Sequence, residues 1–76
     1  MAVNNSSEEL ANIIRNTRKT AGLSQLELAS RARVGKTLVF NLEKGSAKVS
    51  FENLLRVLKV LNIKIEYKLP FNTGNE

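Results

Sequence analysis

The sequence predicts an all-α domain of four helices followed by one C-terminal β-strand that pairs across a homodimer. Three observations carry that expectation. Apolar residues recur at helical spacing in four segments separated by glycines and capping serines. Leu23 to Gly45 reads as two short helices around one tight turn. A single period-two run, Ile63, Ile65, Tyr67 and Leu69 alternating with Lys64, Glu66 and Lys68, closes at Pro70.

The first helix is expected from about Ser7 to Ala21. Ser6 with Glu9 three positions on fits a capping box, in which each side chain satisfies the other's free backbone N–H. Leu10, Ile13, Ile14, Thr17 and Ala21 form its predicted inward stripe, Arg15, Arg18 and Lys19 point outward, and Gly22 is a natural left-handed stop.

Ser24 with Glu27 repeats the capping box, and Leu23 can staple onto Leu28. The second helix is then about Gln25 to Ala32, with Leu28, Ala29 and Ala32 inward. After a turn at Arg33 and Val34, Gly35 occupies the N-cap of a short third helix whose inward residues are Val39 and Leu42, and Gly45 ends it.

Ser50 caps a fourth helix, with Val49 able to staple onto Leu54. Its apolar set, Phe51, Leu54, Leu55, Val57, Leu58, Val60 and Leu61, is wider than one core-facing stripe, so it must be covered on more than one side. One face is expected in the core and another against a second copy. The strand after it cannot satisfy its own backbone, and the economical partner is the same strand of a second copy across a two-fold axis. A frayed extended tail is the alternative. The expected interface is Val57, Val60, Leu61, Ile63, Ile65, Tyr67 and Leu69. The chain divides into a flexible N-terminus (1–5), the helical domain (6–62), the strand (63–69) and a flexible tail (70–76).

Composition bounds the chemistry. With 76 residues there is room for one domain, and a chain of this size buries only about 60% of the surface its unfolded form exposes. There is no Cys, no His and no Asp, so the usual zinc ligands, a thiol nucleophile and the commonest general base are missing. The seven acidic residues are all Glu, without a catalytic spacing to Ser, Lys or Tyr. Neither an enzyme nor a metal or cofactor site is expected. No apolar run approaches the roughly 18 residues of a membrane span and the start lacks a signal peptide, so the expected location is the cytoplasm, without a membrane partner.

Charge points the other way, toward a polyanion. The formal net charge is +5, and between Arg15 and Lys48 eight basic residues face two acidic ones. Each phosphate such a surface neutralises releases condensed counterions. Two helices around a tight turn, bearing cations and amides, are the layout of a DNA-reading helix-turn-helix, in which the second helix enters the major groove.

With Val39 and Leu42 inward, Lys36, Thr37, Phe40, Asn41 and Lys44 face that groove. Lys36 can donate to guanine O6 and N7, Asn41 can pair with adenine or hold a phosphate, and Leu38 at the rim can touch a thymine methyl. Gln25 can bind phosphate beside the free N–H groups of its helix end. Arg33 and Ser46 complete the expected DNA-contacting set. As ordinary surface residues, Lys36, Lys44, Lys48 and Gln25 would each serve only solubility or helix formation; their coincidence on one face favours binding. Glu43 is assigned a structural role, since its carboxylate would repel DNA unless turned toward a helix or toward an Arg such as Arg18 or Arg31. Phe40 fits either sugar and thymine methyl groups or a protein contact.

At Leu23-Ser24-Gln25, Leu28-Ala29, Val34, Val39, Leu42-Glu43 and Gly45 the chain resembles the XRE family of lambda-repressor-like and Cro-like regulators, over about Leu10 to Leu61, and the resemblance implies a lambda-repressor-like bundle of four to five helices. A narrower resemblance, to HipB-like antitoxins, rests on Val34-Gly35-Lys36, Leu42-Glu43-Lys44-Gly45, the run from Leu54 to Leu61, and Ile63-Lys64-Ile65-Glu66. It implies a homodimer that binds a palindromic double-stranded operator, represses its own operon and restrains a HipA-like serine/threonine kinase toxin. A stand-alone phage-type or housekeeping repressor without a toxin is the alternative. Two positions depart from the family pattern: Arg33 stands where Gly is usual in the turn, and Gly35 where Ser or Thr caps the helix. A left-handed Arg would cost of order 1 kcal/mol.

Overall fold

The computed structural model describes residues 6–46 and 48–66. The termini expected to be flexible, and Tyr67 and Leu69 of the expected strand, lie outside the described residues. The order of elements is α1 (Ser6–Thr20), α2 (Gln25–Ala32), α3 (Lys36–Glu43) and α4 (Phe51–Val60). Thus α1 includes Ser6 and stops one residue before Ala21, while α2 has the expected bounds. The Ser6 side chain that would make the first capping box is outside the described set.

The second capping box is present in full: the Ser24 hydroxyl accepts from the Glu27 N–H at 3.0 Å, and the Glu27 carboxylate accepts from the Ser24 N–H at 2.7 Å. The bond from the Ser24 N–H, aided by the Ser24 side chain, holds the Glu27 carboxyl below its ordinary range. Ser50 caps α4 through the Asn53 N–H at 3.1 Å. Gly35 starts α3 in an extended conformation without a side-chain cap.

All four helices close alike. A backbone N–H reaches back five residues, from Leu23 to Arg18, Val34 to Ala29, Ser46 to Asn41 and Ile63 to Leu58, at 2.9 to 3.1 Å. The residue before each donor is left-handed: Gly22 (φ 76), Arg33 (φ 60), Gly45 (φ 92) and Asn62 (φ 58). This is the Schellman closure, which satisfies carbonyls that a helix end would otherwise leave bare. Arg33 therefore takes the left-handed conformation in which glycine is usual, at a strain of order 1 kcal/mol.

Helix α2 packs on both α3 and α4, and α1 on α3. The core they enclose is Ile14, Leu28, Ala29, Ala32, Val39, Leu42, Val57, Leu58 and Leu61. Burying each of the larger aliphatic side chains contributes roughly 1.5–3 kcal/mol. On α1 the inward stripe is rotated from the expected one. Ala11, Ile14 and Arg18 are buried with Leu10 beside them, whereas Ile13 is 49% exposed and Ala21 is exposed. One residue step turns a helix by about 100°, so Ile13 and Ile14 cannot both face the same core. Arg18 is inside because a carboxylate there receives it.

The expected dimer face is corrected in the same way. Val57 and Leu61 are 0% and 7% exposed and belong to the domain's own core, leaving no surface for a partner. Val60 and Ile63 are half-buried against that core. Ile65 is exposed and joins Leu55, which the sequence reading left out of the interface, in lining a shallow groove with Leu58 and Ile63. Residues 63–66 carry no regular secondary structure, and no strand is present among the described residues.

Candidate nucleic-acid interface

Helix α3 is divided lengthwise by its sequence. Val39 and Leu42 are 0% and 5% exposed, while Lys36, Thr37, Phe40, Asn41 and Lys44 are all exposed. Thr37, Leu38, Asn41 and Ser46 line one depression together with Lys48, with Leu42 and Val49 beneath. Four of the expected DNA-contacting residues are thus gathered, and Lys48, which the sequence placed on the same basic face, joins them.

Phe40 and Lys44, one turn apart, meet as a cation–π pair, with the ammonium 5.0 Å from the ring centroid. Phe40 is 46% exposed on the same helix as the exposed Lys36. Arg33 is not gathered with the α3 set. It lines a different depression with Arg31, Arg56 and Lys59 over Ala32 and Val60.

Behind the exposed face lies a buried polar knot. Glu43, the last residue of α3, is 4% exposed and Arg18 of α1 is 9% exposed. Arg18 Nε donates to Glu43 Oε2 at 2.6 Å and Nη2 to Oε1 at 2.9 Å, while Nη1 donates to the Leu23 carbonyl at 2.8 Å. Gln25, the first residue of α2, donates from Nε2 to Glu43 Oε1 at 3.1 Å. Arg15 Nη1 donates to the Glu43 carbonyl at 3.1 Å, closing the end of α3 from α1.

Burial alone would raise the Glu43 carboxyl's pKa. The bonds from Arg18 and Gln25 and the charges of Arg18 and Arg15 outweigh it, so the pKa falls below the ordinary carboxylate value. The same pair raises the Arg18 guanidinium further. The expectation that Glu43 turns to a cation is met, by Arg18 rather than Arg31.

The free N–H groups of Gln25 and Leu26 remain at the start of α2, because Ser24 takes the Glu27 N–H. Gln25 thus stands half-buried beside two backbone donors, with its side chain steered from behind. A helix end of this kind, followed by a turn and an amphipathic helix bearing cations and amides, suits a nucleic-acid backbone and groove.

A helix-turn-helix family model matches residues 14–68. The chain belongs to this helix-turn-helix family, of the XRE type. Among solved structures, this helix-turn-helix protein is similar to the restriction-modification controller protein C.AhdI from Aeromonas hydrophila. The identity is 28%, the TM-score 0.71, and the alignment covers 80% of this chain and 92% of that one. At 20% identity and a TM-score of 0.77 the fold is shared with an MDT protein and with a chain of the HipA-HipB-O2-O3 complex, over 93% of this chain and 99% of each. A search among curated proteins found no match. The helix-turn-helix domain is that of a DNA-binding regulator, and no helix among the described residues is long and apolar enough to cross a membrane.

Proposed function

We propose that the protein is a sequence-specific DNA-binding repressor that acts as a homodimer. α3 lies in the major groove, and Lys36, Asn41 and Thr37 meet base edges. Gln25, Lys44, Ser46 and Lys48 hold phosphates, and Leu38 and Phe40 supply apolar contact. The observation that carries this reading is the lengthwise division of α3, apolar inward and cationic or amide outward, around the depression at Thr37 and Asn41. Two such helices about 34 Å apart would read successive major grooves of a palindromic operator.

We further propose that it is the HipB-like antitoxin of a toxin-antitoxin pair, repressing its own operon and binding a HipA-like kinase. The matching motifs at Val34-Gly35-Lys36 and Leu42-Glu43-Lys44-Gly45 and the fold shared with the HipA-HipB-O2-O3 complex support this. The likeness to a controller protein supports a second reading, a regulator without a toxin. A kinase-like reading frame beside the gene separates the two.

Mobility shifts on duplex DNA from upstream of the gene test the DNA role. Binding that weakens steeply with salt, and falls when Lys36 and Asn41 are both changed to Ala, is expected. No binding at low salt, or binding indifferent to those two changes, would reject it.

A further inference from the structure

Gln25 is the chain's single glutamine and opens α2. Its backbone is fixed by the Ser24–Glu27 capping box one residue earlier. Its side chain is fixed by Glu43, 3.1 Å from Nε2. An ionised carboxylate only accepts hydrogen bonds, so the amide nitrogen, not the amide oxygen, must face it. One Nε2 hydrogen is thereby committed to Glu43 and the other is left to donate. Glu43 cannot drift, because Arg18 grips both of its oxygens and is itself anchored on the Leu23 carbonyl. Nor does it repel a phosphate strongly, since its charge is buried and matched by that guanidinium.

We propose that Glu43 is a positioning residue for the DNA contact: it aims the second amide hydrogen of Gln25 at a backbone phosphate and fixes that anchor on α2 relative to α3. This rests on the DNA reading above. The side chain that would otherwise lose rotamer freedom on binding is already ordered in the free protein. Because the shared carboxylate is the last residue of α3, the phosphate anchor and the base-reading helix hold one register.

The test is a cycle of binding measurements on duplex DNA from upstream of the gene. The proteins compared are wild type, Gln25→Ala, the apolar pair replacement Arg18→Met with Glu43→Leu, and all three changes together. Each partial variant should lose about tenfold in affinity, the size of one hydrogen bond to a charged group. The triple variant should lose no more than either, because Glu43 acts through Gln25. Losses that multiply to about a hundredfold, or an apolar pair replacement that binds like wild type, would overturn the proposal.

Where the apolar pair does not fold, Glu43→Gln replaces it in the same cycle with a loss of about threefold. Independently of DNA, the Gln25 side-chain amide in the NMR spectrum of the free protein should show one downfield hydrogen that moves upfield in Glu43→Gln. An amide at the position of an exposed glutamine, unmoved by that change, would also overturn it. Wild-type protein that fails to bind the DNA rejects the DNA reading instead, a result distinct from all of these.

Discussion

Arg18 on α1 and Glu43 on α3 form a buried two-pronged ion pair, at 2.6 and 2.9 Å, twenty-five residues apart in sequence. Removing one partner strands the other charge in the core. Arg18→Ala or Glu43→Ala should therefore cost about 3–5 kcal/mol, a large fraction of a small domain's stability. Urea denaturation followed by circular dichroism measures it; a loss under about 1 kcal/mol would mean water reaches the orphaned charge.

The same pair sets an acid limit. The Glu43 pKa in the folded chain lies below the ordinary value of 4.5, so the stability it lends is complete above that value. It is lost as pH falls through the lowered folded value. Thermal melts should show a steady decline below about pH 4.5, and the Arg18→Met with Glu43→Leu protein should show a shallower one. Parallel declines would assign the acid sensitivity to other carboxylates.

Arg33 sits in the left-handed region, where glycine is relaxed. Arg33→Gly should raise stability by about 1 kcal/mol, or several degrees in Tm. If Arg33 also touches the operator, affinity should fall in the same variant. A variant with lower Tm would show that the Arg33 side chain stabilises the fold by more than the strain costs.

Lys44 and Asn41 should separate by salt. Lys44→Ala should weaken binding on every sequence and reduce the slope of log affinity against log salt by about one. Asn41→Ala should keep the slope and lose discrimination at one base position by about 1–3 kcal/mol. Identical behaviour of the two would contradict their assigned roles.

The corrected apolar surface predicts a division between association and folding. Ile65→Asp and Leu55→Asp place charges on exposed positions and should yield folded monomers in sedimentation. Val57→Ala, in the core, should instead lower stability by about 2 kcal/mol without changing the oligomeric state. A dimer that survives Ile65→Asp removes this face from the interface.

Much of the fold is legible because its punctuation is local. Ser24 with Glu27, Ser50, Gly22 and Gly45 mark helix ends by chemistry that needs no partner farther along the chain. What escapes is whatever a distant residue decides. Helical spacing places Arg18 outward and Glu43 offers it only as one of two candidate partners, so its burial is decided by the fold, and Gln25 reads as a surface amide until the same carboxylate claims it. The breadth of α4's apolar face reveals that it is covered on several sides, but not that Val57 and Leu61 are already taken up by the domain's own core. The exposed side of α3 is legible because Val39 and Leu42 fix its rotation. The separation of Arg33 from that side is not, since it follows from how α2 meets α4.

The two helices of the motif are secured unequally. α2 begins in a reciprocal capping box, whereas α3 begins at Gly35, which has no side chain to hold its first N–H groups. The far end of α3 is bound to α1 through Arg15 and Arg18, so its looseness is confined to the first turn. Amide hydrogens of Lys36 and Thr37 should therefore exchange with solvent well before those of Leu42 and Glu43. The helix is thus a lever clamped at its tail, with its tip held by backbone bonds alone.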